Sequence, residues 1–102
     1  MGLLSWLMGG PKVDMGDLIK NQKAQVIDVR SPGEYQSGHL KGSINIPLDQ
    51  ISKNASKIKK DRPVVVCCAS GTRSGMAKGM LKQMGFEAHN GGSWTSLRQY
   101  MG

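Results

Sequence analysis

The sequence predicts a single α/β domain built on a central, mainly parallel sheet flanked by helices. Segments with strand character alternate along the chain with segments of helical periodicity, which is the pattern of parallel sheets joined by crossover helices. One strand candidate, Val64–Cys68, is apolar throughout, as expected of a central strand covered on both faces. A length of 102 residues suits one domain with its own hydrophobic core.

The chain opens with an apolar segment that we expect to be an extension of the domain. Gly9-Gly10-Pro11 interrupts the chain after this segment, so we assign residues 1–12 to the extension and residues 13–102 to the domain. The segment has no basic start and is too short for a secretory signal. We therefore expect it to pack on the domain or on a partner.

The first half of the domain is predicted to hold a short helix, two strands and a basic helix. Asp14 can cap the short helix through its side-chain oxygen. Residues 25–30 read as a strand that ends at a Ser-Pro-Gly turn signal, and a loop then leads to a second strand over residues 43–46. Residues 48–59 have the spacing of an amphipathic helix with a lysine-rich outer face.

The second half follows the central strand with a loop, a helix, a strand and a last helix. The loop consists of the small residues 69–72, and apolar residues then recur at helical spacing until Gly85, a typical residue after a helix end. Residues 86–89 read as a strand, and Gly91-Gly92 reads as a turn. Ser93 is predicted to cap the last helix.

Composition and charge exclude several classes of protein. Hydrophobic residues make up 38% and charged residues 21% of the chain, a balance that argues against general disorder. No apolar stretch approaches the ~20 residues of a membrane-spanning helix. The formal charge of +7, from 14 Lys+Arg and 7 Asp+Glu, favours anionic small substrates or acidic protein partners. We expect no nucleic-acid binding, because no aromatic interleaving or recognition motif accompanies the basic residues.

The two cysteines are adjacent, which removes any disulfide framework. Neighbouring Cα atoms lie about 3.8 Å apart, whereas a relaxed disulfide needs at least ~4.4 Å. Free thiols in a small domain point to a reducing compartment, so we expect a cytoplasmic protein.

Cys68 is the candidate nucleophile, because it ends a buried strand just before a helix. Ligands of α/β sheets bind outside the carboxyl ends of the strands. The small loop around Gly71 can turn its N–H groups inward, the helix N-terminus adds partial positive charge, and Arg73 adds a cation. Such surroundings lower a cysteine pKa from about 8.5 to roughly 3.5–7.5. We therefore predict a thiolate at neutral pH.

This arrangement can also hold a transferred sulfur atom. A thiolate attacks the outer sulfur of thiosulfate, sulfite leaves, and the loop amides then surround the terminal sulfur of a persulfide. Cyanide or a thiol acceptor removes that sulfur. The chemistry requires no metal and no cofactor, so we expect neither.

Four motifs in register make the resemblance to a family specific. Cys68-Ala69-Ser70-Gly71-Thr72-Arg73-Ser74 resembles the active-site loop of single-domain rhodaneses, the thiosulfate sulfurtransferase family. Asp28-Val29-Arg30 with Glu34-Tyr35, residues 38–47 (GHLKGSINIP) and Gly91-Gly92 agree in order and spacing. The resemblance runs from residue 13 to the end of the chain.

The resemblance implies a three-layer rhodanese-like fold and a catalytic role for Cys68. It also implies that sulfur is bound by the backbone amides of the next five residues, Ala69, Ser70, Gly71, Thr72 and Arg73. Where many relatives have an aromatic residue before the nucleophile, this chain has Cys67. A sulfur-relay module that accepts persulfide from an acidic partner protein, without efficient turnover, is an alternative of another class.

The cysteine doublet leaves a second enzymatic alternative. Counted from Cys67, the pattern Cys67-X5-Arg73 resembles the signature of phosphatases or arsenate reductases on the same fold. Alternation along the strand would point Cys67 into the face opposite Cys68, and Val66 stands where the phosphatase pattern has histidine. Both features favour Cys68. Cys67 is then a small buried hydrophobe or an auxiliary, resolving thiol.

Other polar residues near these motifs are predicted to support the site. Asp28, Arg30 and Glu34 suit a salt-bridged scaffold beneath the loop, because a strand-end aspartate and a nearby arginine can fix a loop by charge-assisted bonds. His39 is predicted to make a structural hydrogen bond, since it and the other histidine lack metal-ligand spacing. Arg73 can either contact substrate or brace the loop.

Overall fold

The computed structural model describes residues 13–101, which form a four-stranded, all-parallel sheet flanked by helices. The strands are β1 (Gln25–Asp28), β2 (Ile44–Asn45), β3 (Val64–Cys68) and β4 (Ala88–Ser93), in the spatial order β2-β1-β3-β4. This architecture confirms the predicted fold class. The predicted extension, residues 1–12, lies outside the described residues.

Between residues 13 and 101, three α-helices and three 3₁₀ helices connect and cover the strands. The α-helices are α1 (Met15–Lys20), α2 (Pro32–Gln36) and α3 (Thr72–Gln83). The 3₁₀ helices are Leu48–Gln50, Ala55–Lys57 and Trp94–Tyr100. Within residues 13–101, none of these helices has the length and apolar character needed to cross a membrane.

Strand β3 forms the centre of the sheet, as the apolar run predicted. It pairs with β1 on one side and β4 on the other, and all five of its residues are buried. Alternate side chains face the two layers: Val66 and Cys68 join the core beneath α3, whereas Val65 and Cys67 join the core beneath α1. The sheet is therefore covered on both faces.

The predicted helix over residues 48–59 is wrong. The chain forms two separate 3₁₀ turns, Leu48–Gln50 and Ala55–Lys57. Between them the Asn54 side chain donates to a backbone carbonyl one turn earlier, at 3.0 Å, and asparagine bonds of this kind compete with a continuous helix. Ile51 is nonetheless fully buried. The apolar spacing therefore identified a residue that faces the core, but it did not predict the backbone conformation of this segment.

Helix α2 stands where the sequence analysis expected a loop. Its N-terminus is a capping box: the Ser31 hydroxyl accepts a bond from the Glu34 N–H at 3.3 Å, and the Glu34 carboxylate accepts one from the Ser31 N–H at 3.1 Å. Pro32 occupies the first turn, where its missing N–H costs nothing. The Ser-Pro-Gly-Glu sequence was therefore a helix start as well as a turn signal.

The predicted turn at Gly91-Gly92 is also wrong, because both glycines lie within β4. A Cβ on Gly91 would stand 2.7 Å from the Val65 side chain, so only glycine lets β4 pack this closely on its neighbour. Gly92 has φ +79, and a shift of strand register at this level pairs it with Cys67. The glycines thus permit close packing and a local irregularity rather than a chain reversal.

Candidate active site

Cys68 lies at the carboxyl end of β3, directly before the loop that leads into α3. Its Sγ accepts a hydrogen bond from the Gly71 N–H at 2.9 Å and a longer one from the Ser74 N–H at 3.4 Å. The Ser74 hydroxyl oxygen is 3.4 Å from the same sulfur. Gly71 adopts φ +104, a conformation that favours glycine and that turns its N–H back toward the sulfur. Donors therefore converge on one sulfur atom.

These donors make Cys68 the more acidic of the two thiols. Burial alone would raise the pKa of Cys68, but hydrogen bonds from the hydroxyl and N–H of Ser74 and from the N–H groups of Gly71 and Ser70 outweigh it. The resulting pKa is about 7, against an ordinary value of 9.0. About half of the thiol is ionised at neutral pH.

Cys67 has the opposite environment. It is fully buried on the other face of the sheet, in an apolar cluster with Val26, Val65 and Leu97. Burial, with a further contribution from the negative charge of Asp28, raises the pKa of Cys67 to about 12. A thiol in this position is protonated at neutral pH and has the character of a small hydrophobic side chain.

Arg73, in the first turn of α3, is paired with a carboxylate. Its guanidinium donates to both carboxylate oxygens of Glu34, at 2.7 and 2.9 Å. The hydrogen bonds from Arg73, followed by those from Ser31, lower the pKa of Glu34 to about 2, so the pair is charged at neutral pH. In this structure Arg73 braces α3 against α2 rather than presenting a free cation.

Asp28 and Arg30 form the scaffold beneath α2. Their side chains are about 1% and 5% exposed, and the Arg30 guanidinium donates to both Asp28 carboxylate oxygens at 2.8 to 3.0 Å. Arg30 also donates to the carbonyls of Glu34, at 3.2 Å, and Gly38, at 2.7 Å. The buried ion pair thus fixes both ends of the segment that carries Glu34.

His39 lies at the outer side of this scaffold. Its Nδ1 is 2.8 Å from the Tyr35 carbonyl oxygen, and its ring stacks on the Tyr35 ring with centroids 3.8 Å apart. The Tyr35 hydroxyl in turn donates to the Ser43 carbonyl at 2.6 Å. These contacts connect α2 to the segment that precedes β2.

Two polar residues around Cys68 were not predicted as site residues: Ser74 ends the loop motif but was given no role, and Asn90 was not singled out. Ser74, fully buried in α3, contacts the sulfur, and its hydroxyl donates to Asn90 Oδ1 at 2.7 Å. Asn90, in β4, donates through Nδ2 to the Gly71 carbonyl at 3.1 Å. Ser74 could have been found from its position one turn into the helix, whereas no local pattern marks Asn90.

A cavity of about 270 Å³ opens beside the loop. Its lining includes Arg73 together with Ser31 and Asp49, which follow β1 and β2 at the same edge of the sheet. Arg73 is paired with Glu34, and among residues 13–101 Asp49 forms no ion pair, so its negative charge at the opening is not offset within this part of the chain. Cys68 itself has no exposed surface.

A larger and more basic cavity lies at the opposite end of the sheet. It measures about 470 Å³ and adjoins the amino ends of β1 and β2, whereas Cys68 lies at the carboxyl end of β3. Its cationic lining residues are Lys23, Lys57, Lys59 and Arg62. Size does not identify it as the reactive centre, because the converging donors and the acidic thiol are elsewhere.

Comparison with known proteins gives a consistent assignment. The model of the rhodanese-like domain family matches residues 13–95. The chain is 44% identical over 64 residues to the uncharacterized protein YqhL of Bacillus subtilis, covering 63% of this chain and 51% of that protein. It is 42% identical over 62 residues to the thiosulfate sulfurtransferase PspE of Escherichia coli, covering 59% and 60%. The putative sulfur carrier protein YrkF of Bacillus subtilis is 33% identical over 67 residues, covering 66% and 36%.

The chain thus spans between about a third and two thirds of the length of these relatives. Among solved structures, a rhodanese-related protein from Thermoplasma volcanium superimposes with a TM-score of 0.71 at 31% identity. The match covers 86% of this chain and 89% of that one, so the similarity extends over nearly the whole described fold.

Proposed function

Because this chain belongs to the rhodanese-like domain family, we propose that it is a sulfurtransferase that carries sulfane sulfur as a persulfide on Cys68. The observation that carries the proposal is the convergence of the Gly71 and Ser74 N–H groups on the Cys68 sulfur at the end of the central strand, with the Ser74 hydroxyl beside the same sulfur. These N–H groups stabilise negative charge on the Cys68 sulfur, because they already point at it.

The reaction proceeds in two displacements. The Cys68 thiolate attacks the outer sulfur of thiosulfate, a new S–S bond forms, and sulfite leaves with the electron pair of the S–S bond that breaks. An acceptor such as cyanide or a thiolate then attacks the outer sulfur of the persulfide. The S–S bond of the persulfide breaks, and its electron pair stays on the Cys68 sulfur, which becomes a thiolate again. The cycle is then complete, and it consumes no additional oxidant or reductant.

Loop residues 69–73 supply the sulfur-binding amides in this proposal. Ala69, Ser70 and Thr72 are exposed, whereas the Cys68 sulfur beneath them is not, so the loop must open for a donor to reach it. The ion pair of Arg73 and Glu34 holds the end of the loop that adjoins α3 in place while the loop opens. We assign Arg73 a bracing role on this basis.

The position of Cys67 weighs against phosphatase or arsenate-reductase chemistry. A nucleophile at Cys67 would need a thiolate in the apolar core on the opposite face, where its pKa is about 12. Cys68 has no such obstacle, since the N–H groups of Gly71 in the loop and of Ser74 in α3 already contact its sulfur. The geometry therefore supports the shorter loop counted from Cys68.

Intact-mass measurement after incubation with thiosulfate tests the proposal. We expect the reduced protein to gain about 32 Da, corresponding to one sulfur atom, and to lose it on treatment with a reductant. The Cys68→Ser variant should show no gain, while a Cys67→Ser control should retain it. Hydrolysis of para-nitrophenyl phosphate without any sulfur gain would refute the sulfurtransferase assignment and favour a phosphatase.

A sulfur-relay module is the second candidate, because Cys68 has no exposed surface and the sulfur-carrier relative shares this domain. The basic cavity at the amino ends of β1 and β2 would suit an acidic partner protein. A stable persulfide with negligible cyanide-dependent turnover would favour this relay over an efficient thiosulfate enzyme.

A further inference from the structure

We propose that Asn90 is a positioning residue that controls where the Ser74 hydroxyl proton is donated and thereby sets the reactivity of Cys68. The inference rests on the proposed function for its biological meaning. Asn90 does not touch the reactive sulfur in this structure; it acts through Ser74, which does.

The Ser74 hydroxyl stands between two acceptors but has one proton to donate. Its oxygen is 2.7 Å from Asn90 Oδ1 and 3.4 Å from Cys68 Sγ. The short contact is a hydrogen bond directed to Asn90, whereas the longer one is a weak contact with sulfur. While Cys68 is a neutral thiol, these distances favour a hydroxyl proton directed to Asn90.

Each chemical state of Cys68 requires a different direction for this proton. A neutral thiol can donate its own proton to the Ser74 oxygen, so the Ser74 hydroxyl remains bonded to Asn90. A thiolate needs donors, so the hydroxyl must turn from Asn90 to the sulfur. In a persulfide the negative charge moves to the outer sulfur, and the hydroxyl can return to Asn90. Asn90 thus competes with the thiolate for one proton.

The Asn90 amide is held in the orientation that this competition needs. Its Oδ1 also accepts the Gly92 N–H at 2.9 Å, while its Nδ2 donates to the Gly71 carbonyl at 3.1 Å. An amide turned by 180° would lose both bonds, so Oδ1 faces Ser74. The Gly71 carbonyl also accepts the Gly75 N–H at 3.0 Å, and it keeps that bond if the Asn90 amide is removed.

This competition predicts shifts of opposite sign for substitutions at the two residues. Asn90→Leu replaces the amide with an apolar group of the same branching, which frees the hydroxyl for the thiolate and should lower the pKa of Cys68 by about one unit. Ser74→Ala removes the hydroxyl and should raise it. Asn90→Asp keeps an acceptor and adds a negative charge no more than about 6 Å from the sulfur, because the Ser74 oxygen lies 2.7 Å from Asn90 Oδ1 and 3.4 Å from the sulfur. This charge should raise the pKa of Cys68 by about two units.

The experiment is the pH dependence of iodoacetamide alkylation of Cys68, followed by mass spectrometry of the digested protein. Cys67 is an internal control for folding, because it lies in the apolar core on the opposite face of the sheet from the loop and becomes alkylated only when that core opens. The double variant Asn90→Leu/Ser74→Ala should have the same apparent pKa as Ser74→Ala alone, since Asn90 acts through Ser74.

The proposal is supported if the pKa of Cys68 falls in Asn90→Leu and if the double variant has the same pKa of Cys68 as Ser74→Ala. An unchanged or raised pKa in Asn90→Leu with Cys67 still protected would overturn it, because loosening of the loop would remove donors from sulfur. Alkylation of Cys67 in Asn90→Leu would show that this variant is not properly folded, and Asn90→Asp then provides the test. An unchanged or lowered pKa of Cys68 in folded Asn90→Asp overturns the proposal. The assay involves no sulfur transfer, so it can succeed even if the wild-type protein fails to gain sulfur from thiosulfate.

Discussion

Replacing each cysteine of the doublet in turn should separate a reactive thiol from a structural one. With a pKa of about 7, Cys68 is about half thiolate at pH 7, whereas a pKa of about 12 leaves about one Cys67 thiol in 10⁵ ionised. Alkylation and sulfur loading depend on thiolate, so the ionised fractions alone favour Cys68 by more than four orders of magnitude. Cys68→Ser should therefore abolish both reactions, and Cys67→Ser should preserve them.

The two variants should also differ in stability. Cys67→Ser places a hydroxyl among apolar side chains on a fully buried face, which should lower the free energy of unfolding by about 1–3 kcal/mol. For a domain of this size, each kcal/mol corresponds to roughly 4–8 °C in melting temperature. A serine at position 68 can still accept the Gly71 N–H, so Cys68→Ser should be destabilised less.

The assay combines brief alkylation at pH 7, digestion and localisation of the label with a parallel measurement of sulfur gain from thiosulfate. Thermal unfolding of each variant establishes that the protein is folded under the labelling conditions. If Cys67→Ser lost labelling and sulfur gain while remaining folded, and Cys68→Ser kept them, the assignment of the nucleophile would be refuted.

Four further predictions follow from other parts of the structure. Sulfur loading of the wild type should increase about tenfold per pH unit below about pH 7 and level off above it, because thiolate is the attacking species; a profile rising past pH 9 would contradict the lowered pKa of Cys68. Gly91→Ala should destabilise the domain by about 1–3 kcal/mol in urea unfolding, since its Cβ would meet a side chain at 2.7 Å; the control Gly79→Ala, on an exposed and unobstructed helical position, should stabilise it by about 0.5–1 kcal/mol. Asp28→Asn should lower the free energy of unfolding by about 3–5 kcal/mol, because it leaves a buried guanidinium without its counter-charge; a loss below 1 kcal/mol would show that the pair is unimportant. Asp49→Asn should raise kcat/KM for thiosulfate about two- to fivefold at low salt, and the gain should shrink at high salt if it arises from the charge at the cavity.

The sequence was most informative where the determining interactions are local. The apolar run Val64–Cys68 identified the central strand, and the small residues with Gly71 identified the loop that follows it. Alternation within the strand was sufficient to assign Cys67 and Cys68 to opposite faces. These features depend on residues one to five positions apart in the chain, so the local sequence pattern is enough to predict them.

Contacts between segments far apart in the chain could not be predicted from local sequence patterns. Glu34 and Arg73 are 39 positions apart, and their pairing depends on how α2 and α3 meet at one edge of the sheet. Asn90 and Ser74 are 16 positions apart, and they meet because β4 lies beside β3, which leads into the helix that carries Ser74. The basic helix was predicted wrongly for a related reason: apolar spacing reports which side chains are buried but does not distinguish an α-helix from 3₁₀ turns that bury the same ones.

The choice between the two cysteines depends on what fixes the register of β3. A shift of one residue would exchange their faces, and apolar character alone does not oppose it, because every residue of the strand is apolar. Two neighbours do oppose it. Pro63 has no N–H for the ladder, and its carbonyl accepts the Gln25 N–H at 2.9 Å at the start of β1. At the other end the Cys67 carbonyl accepts the Val29 N–H at 2.9 Å, directly after the aspartate of the buried ion pair. The same pairing that holds the scaffold in place therefore keeps Cys67 in the core and leaves Cys68 beneath the loop amides.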